Sequence, residues 1–170
     1  DLLDYLDSFR YPLAGEYALT SALAAASALP IGGGLELGLL GEIHAGCAER
    51  RICQVDLSID YEHRHEELSA SDPNSGLLKM SIDIAAAVFD TLAAEGVILS
   101  DALFRSLELA YRRLALDTVR HFEDDSAING LIYERNAELR AIEAFSQGLK
   151  LAVERFSCKT HKTALLPSWS

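Results

Sequence analysis

Hydrophobic positions recur every three to four residues along most of the chain, the spacing that places side chains on one face of an α-helix. The pattern predicts short helices over 1–10 and 35–45, and an alanine-rich helix over 16–29 that Pro30 ends. Three longer helices are predicted after residue 76, with Gly96 at the C-terminal end of the first and Ser100 as the N-cap of the second. Their apolar faces comprise Leu77, Met80, Ile84, Val88 and Leu92, then Leu103, Leu107, Tyr111 and Leu114, and last Ile142, Phe145, Leu149, Ala152 and Phe156.

One segment departs from the helical pattern. Residues 51–57 alternate in polarity and include β-branched side chains, which predicts a strand. A single strand leaves its backbone groups without partners, so it requires a second strand. That second strand is either 11–15 or part of a segment upstream of this chain, which begins with Asp1 and not with Met. The predicted fold class is therefore α+β and predominantly helical, with one or two strands.

The charge balance restricts the partners that the chain can have. The 170 residues carry 26 acidic and 15 basic side chains, a formal charge of −11. Such a surface repels nucleic acid and anionic membranes, so neither is expected as a partner. The three cysteines lack a CxxC spacing, which disfavours a disulfide framework and indicates a reduced, cytoplasmic protein.

A membrane span is also not expected. Residues 17–35 carry no charge, but Pro30 and the glycines at 32–34 interrupt them. Alanine, serine and threonine in this stretch gain little in lipid, and the glycines would end the helix before it crossed.

Two histidines follow the predicted strand within the polar segment 60–67. His63 and His65 are two residues apart, so on extended backbone they point to the same side and can reach one site. Imidazole is a common ligand of divalent metals, and the carboxylates beside it suit magnesium or manganese. The alternative interpretation is an exposed, charged turn.

Glycines 32–34 come directly before a predicted helix that carries Glu36 in its first turn. Glycine permits close approach of a ligand to the backbone, and a helix N-terminus favours an anion. The segment lacks the Lys-Ser/Thr of a Walker A loop and the spacing of a dinucleotide fingerprint. The alternative interpretation is a flexible connector between helices.

Four motifs together are more specific than any of them alone. PLAGE at 12–16, GGGLELGLL at 32–40, QVDL at 54–57 and YEHRH at 61–65 occur in this order. The arrangement resembles the C-terminal half of the glucosyl-3-phosphoglycerate synthases, which are retaining glycosyltransferases of the GT-A fold. The resemblance extends over most of residues 9–156.

The resemblance implies an organisation and a partner segment. It predicts that 1–68 form the C-terminal part of the catalytic core, that 69–158 form a helical extension, and that 159–170 form a loose tail. An N-terminal half of the same protein would complete the sheet and would contribute the DxD motif and most of the nucleotide pocket. The isolated 170 residues are therefore expected to be inactive. Because members of the family are commonly dimeric, the resemblance also predicts a homodimer.

The resemblance also implies roles for individual residues. Glu36 corresponds to the catalytic-site residue that binds hydroxyls of the transferred glucose, and His63 to a ligand of Mg or Mn on the donor diphosphate. His65 corresponds to a residue that contacts the phosphoglycerate acceptor. The remaining donor-binding positions are Leu13, Gly33, Gly34, Leu35 and Tyr61, the last in the place of an arginine that contacts the diphosphate.

The activity implied is transfer of glucose from an NDP-glucose donor to 3-phosphoglycerate, with retention and a divalent cation. In this class the leaving phosphate accepts the proton of the acceptor, which agrees with the lack of an obvious general base in the sequence. Two alternatives stay open. One is the same fold with a mannose donor or a glycerate acceptor, and the other is a non-catalytic helical interaction or dimerisation module.

Overall fold

A computed structural model describes residues 1–13, 15–27, 34–47, 51–55 and 72–158. Within these ranges the secondary structure is helical, and the chain forms no strand. No helix of the described ranges is long and apolar enough to cross a membrane. The helices are α1 (Leu2–Asp7), α2 (Ser21–Ala26), α3 (Leu35–Gly46), α4 (Gly76–Ala94), α5 (Asp101–Ile128) and α6 (Arg135–Cys158).

Helix α4 is the centre of the described structure, with its most extensive contacts to α6 and a second interface to α3. The main core cluster joins α4 to α5 and α6. Three aromatic rings meet there edge to face, with the centroid of Phe89 5.0 Å from that of Phe104 and 6.0 Å from that of Phe156. The cluster comprises the buried residues Leu78, Ile82, Ala86, Phe89, Phe104 and Ala152.

A smaller cluster attaches α1 to α3. Leu2 and Tyr5 of α1 pack against Leu40 of α3, and Leu92 of α4 closes the cluster from the other side. The ring of Tyr5 also lies 4.9 Å from that of His44, between centroids. The start of the chain is thus held against α3, the helix that carries Glu36.

The end of α4 and the start of α5 follow the sequence signals closely. The hydroxyl of Ser100 accepts a hydrogen bond from the amide of Leu103, so it caps α5 as the sequence predicts. Gly96 has a φ of +88° just past the end of α4, the left-handed conformation that favours glycine there. These two signals fix the turn between α4 and α5.

The predicted helix over 16–29 is wrong in its extent. Helix α2 begins only at Ser21, because the hydroxyl of Thr20 caps it by accepting a hydrogen bond from the amide of Leu23. Residues 15–19 before it are not helical. Tyr17 is therefore not part of a helix.

The predicted strand over 51–57 is not formed by its described residues. Positions 52–55 have no regular secondary structure, and the side chain of Val55 is 70% exposed. A strand requires a neighbour for its backbone groups, and the described part of the chain offers none. The amide of Arg10, just before the alternative partner 11–15, donates to the Gln54 side chain at 2.9 Å. Positions 56 and 57 lie outside the described residues.

The apolar faces of the long helices are buried unequally. On α4 the residues of the predicted face are half-buried, whereas Leu78, Ile82 and Phe89 beside it are buried. The reason is that both α3 and α6 pack against this helix. On α5 much of the predicted stripe is exposed, and Leu114 is 69% exposed. The buried residues of that helix are Phe104 and Val119, and the ring of Phe104 packs against that of Phe156 in α6.

Candidate active site

Glu36 lies in the first turn of α3, and its side chain is half-buried. A negative charge at this position interacts favourably with the helix macrodipole. Residue Leu35 precedes it as the first helical residue, and Gly34 occupies the N-cap position. The predicted helix over 35–45 is therefore confirmed, and it places Glu36 where the sequence suggested.

A cavity of about 120 Å³ opens beside Glu36, between the non-helical segment 15–19, helix α2 and the start of α3. Drug-sized ligands usually occupy roughly 300–1,000 Å³, so this cavity has room for only part of such a ligand. Its described lining consists of Gly15, Tyr17, Leu19, Ala24, Ser27, Leu35, Glu36 and Leu39.

The polar groups of the cavity differ in their freedom to bind a ligand. The hydroxyl of Ser27 donates to the carbonyl oxygen of Leu23 at 2.9 Å, within α2. The hydroxyl of Tyr17 donates to the carbonyl oxygen of Pro12 at 2.8 Å. Both protons are thus used inside the protein, whereas the Glu36 carboxylate can accept hydrogen bonds from a ligand. A molecule rich in hydroxyl donors suits this arrangement.

The electrostatics of the cavity are dominated by negative charge. The pKa of Tyr17 is raised from 10.0 to about 12, chiefly by burial and then by the neighbouring charge of Glu36 and, more weakly, that of Glu16. The phenol therefore stays protonated at all physiological pH values, so it keeps its role as a hydrogen-bond donor.

The described candidates for donor binding fall into three groups. Leu35 and Glu36 line the cavity. Leu13 is half-buried in the turn that leads to Gly15, two residues from the cavity wall. Gly34 is buried against α4, since a Cβ built there would lie 2.5 Å from the Cβ of Ala87. Gly34 thus has a packing role that the sequence did not indicate.

The other predicted site residues cannot be related to this cavity. Gly33, Tyr61, His63 and His65 lie outside the described residues. Among the residues that are described, no group of three or more histidine, cysteine, aspartate and glutamate side chains could hold a metal ion. The predicted metal and acceptor residues therefore stay predictions.

Tyr17 and Ser27 border the cavity, a role that was not predicted from the sequence. Both fall within 16–29, which was predicted as one continuous helix. The available signal was Thr20, a preferred N-cap residue, whose hydroxyl caps the start of α2. A helix start at Ser21 leaves Tyr17 in the non-helical segment that borders the cavity.

A second and larger recess, of about 340 Å³, lies between α1 and the segment 52–54. None of the predicted site residues that the structure describes borders it. Its described lining is Asp1, Asp4, Tyr5, Ser8, Phe9, Ile52, Cys53 and Gln54.

Comparison with known proteins confirms the resemblance drawn from the motifs. The chain is 40% identical over 167 residues to a glucosyl-3-phosphoglycerate synthase of Persephonella marina, which covers 98% of the chain and 41% of that relative. It is 34% identical over 172 residues to a protein of the same name from Methanococcoides burtonii, over 100% of the chain and 42% of the relative. The chain thus spans about two-fifths of the length of these relatives. No protein-family model and no solved structure matches it.

Proposed function

We propose that this chain is part of a retaining glycosyltransferase that transfers glucose from an NDP-glucose donor to 3-phosphoglycerate. The observation that carries the proposal is the match of nearly the whole chain to two relatives named glucosyl-3-phosphoglycerate synthase. The motifs 12–16 and 32–40, on which the resemblance rests, also meet at one cavity through Gly15, Leu35 and Glu36.

In this proposal the cavity receives the glucose of the donor. The Glu36 carboxylate accepts hydrogen bonds from glucose hydroxyls, and Leu35 and Leu39 supply the apolar wall for the sugar ring. The volume of about 120 Å³ suits one part of a nucleotide sugar, so the diphosphate and the nucleoside would bind elsewhere. Leu13, Gly33 and Tyr61 complete the proposed donor site, and His65 contacts the acceptor.

The proposal includes a divalent cation, Mg or Mn, with His63 as a ligand. Such an ion would stabilise the negative charge of the diphosphate leaving group. The support is the resemblance of 61–65 to the metal segment of the family, because the described residues offer no ligand cluster. Removal of divalent ions with EDTA should abolish transfer, and addition of magnesium should restore it. The substitution His63→Ala should raise the magnesium concentration needed for half-maximal activity.

The experiment uses the product of the complete gene that encodes this chain, with NDP-glucose, 3-phosphoglycerate and magnesium. We expect Glu36→Gln to lower kcat/KM about 10- to 100-fold, because the neutral amide accepts weaker hydrogen bonds than the carboxylate. Glu143→Gln is the matched control, since it makes the same change at an exposed position of α6. Transfer of mannose, or transfer to glycerate, in preference to the proposed substrates would favour the alternative specificity. An inactive wild-type protein would reject the proposal.

A homodimer is the second part of the proposal, and the exposed face of α5 supports it. Leu103, Leu107 and Leu114 of that face are 42%, 39% and 69% exposed. Together with Ala110 they have the alternating four- and three-residue spacing of a helix–helix seam. The helix also carries both signs of charge (Arg112, Arg113, Asp117 and Asp124), as a self-complementary interface between two copies needs.

The same face would also serve the alternative function, a non-catalytic dimerisation module. Sedimentation of the double variant Leu107→Glu/Leu114→Glu tests the interface, with Leu109→Glu as the control. Leu109 is a 71% exposed leucine on another side of the same helix. We expect the double variant to be monomeric and the control to remain dimeric. A monomeric wild-type protein would contradict the proposed interface, and a dimer without transferase activity would favour the module.

A further inference from the structure

Tyr17 connects two parts of the chain that border the cavity. Its hydroxyl donates a 2.8 Å hydrogen bond to the carbonyl oxygen of Pro12, five residues earlier. Between these two residues Gly15 has a φ of +82°, a conformation that L side chains rarely adopt. The hydrogen bond thus closes a compact loop over 12–17.

This loop forms one side of the cavity. Gly15 and Tyr17 contribute its wall, and Leu35, Glu36 and Leu39 of α3 form the opposite wall. The shape of the cavity therefore depends on the conformation of the loop. Tyr17 and Glu36 border the same cavity, and the negative charge of Glu36 contributes to the raised pKa of Tyr17.

We propose that Tyr17 is a positioning residue, whose hydrogen bond to Pro12 fixes the conformation of the loop 12–17 and so preforms the sugar cavity that this loop forms with Glu36. This inference rests on the proposed function, since it takes the cavity as the glucose site. A preformed site loses less conformational entropy when it binds a ligand, so loss of the hydrogen bond should mainly lower the affinity for the ligand.

The surroundings of Tyr17 separate this role from a general contribution to stability. Tyr17 belongs to neither core cluster, and 38% of its surface is exposed. The substitution Tyr17→Phe keeps the ring and removes only the hydroxyl. It should therefore leave the packing of the helices intact and release the loop.

Tyr133 provides a matched control. Its hydroxyl also donates to a backbone carbonyl, that of Val119 at 3.1 Å, but it joins α5 to the segment before α6. Tyr133→Phe therefore removes the same kind of hydrogen bond at a place that does not border the cavity. Both variants are compared with the wild-type product of the complete gene.

Steady-state kinetics with NDP-glucose is the first measurement. The net contribution of one hydrogen bond corresponds to roughly a two- to tenfold change in an equilibrium constant, so Tyr17→Phe should raise the KM for the donor by that factor. Its kcat should stay within about twofold of the wild-type value, because the lost interaction acts on binding and not on the transition state alone. Tyr133→Phe should leave both constants unchanged. An unchanged donor KM in Tyr17→Phe, or an equal rise in both variants, would overturn the inference.

Hydrogen exchange is the second measurement, and it does not depend on activity. The amides of 15–19 should exchange faster in Tyr17→Phe than in the wild-type protein, and at the wild-type rate in Tyr133→Phe. If the wild-type protein transfers no glucose but this difference is found, the proposed function fails while the loop-positioning role stands. Equal exchange in all three proteins would reject that role.

Discussion

Gly148 of α6 lies directly against Ser81 of α4. A Cβ built on Gly148 would be 1.8 Å from the Ser81 Oγ and 2.8 Å from the Ser81 Cβ. The Ser81 hydroxyl is itself fixed, because it donates to the carbonyl oxygen of Leu78 at 2.8 Å. The closest approach of the two helices thus requires the absence of a side chain at position 148.

Gly148→Ala is expected to destabilise the protein. Alanine normally favours a helix over glycine by about 1 kcal/mol, but here its methyl group would force α4 and α6 apart. Overpacking of this kind costs about 1–3 kcal/mol, so the clash outweighs the gain in helix propensity. Urea unfolding followed by circular dichroism measures the change. Gly46→Ala is the control, since no atom lies within 4 Å of the added Cβ there, and it should be neutral or slightly stabilising.

Gly34→Ala should lower both stability and activity. The added Cβ would lie 2.5 Å from the Cβ of Ala87, which would displace the start of α3 and with it Glu36. We expect a loss of about 1–3 kcal/mol in the free energy of unfolding and a several-fold lower kcat/KM.

The variant Gly34→Ala/Ala87→Gly tests the cause of this loss. It removes the clashing methyl group from α4, at a cost of about 1 kcal/mol in helix propensity. The double variant should therefore recover activity that Gly34→Ala loses, with a favourable coupling between the two sites. Strictly additive effects would show that the contact between Gly34 and Ala87 is not the reason.

The features predicted correctly from the sequence are those that local chemistry decides. Ser100 and Gly96 mark helix ends because their preferred conformations and hydrogen bonds involve only neighbouring residues. The position of Glu36 followed in the same way from the glycines before it and the helical spacing after it. Leu35 and Glu36, two of the eight described residues that line the cavity, were therefore predicted from the sequence.

The features that were wrong or missed depend on distant residues or on competing local signals. Alternation at 51–57 predicted a strand, but a strand needs a partner that no local pattern can specify, and Val55 is exposed. The packing role of Gly34 depends on Ala87, which is distant in sequence. Tyr17 was missed because the high helix propensity of the alanines predicted one helix over 16–29. Thr20, a preferred N-cap residue, instead marks the start of the helix at Ser21.

Ser146→Ala should stabilise the protein. The Ser146 hydroxyl is buried in α6 and has no hydrogen-bond partner among the described residues. Removing a buried polar group that lacks a partner recovers about 1–3 kcal/mol of desolvation cost, to which alanine adds its better helix propensity. Ser157→Ala, at an exposed position of the same helix, measures the propensity contribution alone. Equal stabilisation by both substitutions would show that the buried hydroxyl costs nothing.

Tyr17 should make the stability of the protein depend on pH in the alkaline range. Its pKa is about 12 in the folded chain, against 10.0 for an unperturbed tyrosine, so folding favours the protonated phenol. Its contribution is fully present below pH 10, because the phenol is then protonated in both states. Between pH 10 and about 12 the unfolded chain loses its proton first, and the contribution is lost as the pH rises.

The measurement is the free energy of unfolding in urea at pH 9 and at pH 11.5, for the wild-type protein and for Tyr17→Phe. Stability should fall more steeply in the wild-type protein, because the variant lacks the titrating group. Tyr5, Tyr111 and Tyr133 also have raised pKa values, owing chiefly to burial, but they are present in both proteins and cancel in the comparison. Parallel pH dependence in the two proteins would mean that the Tyr17 hydroxyl is not held in the protonated, hydrogen-bonded state on which the preformed cavity depends.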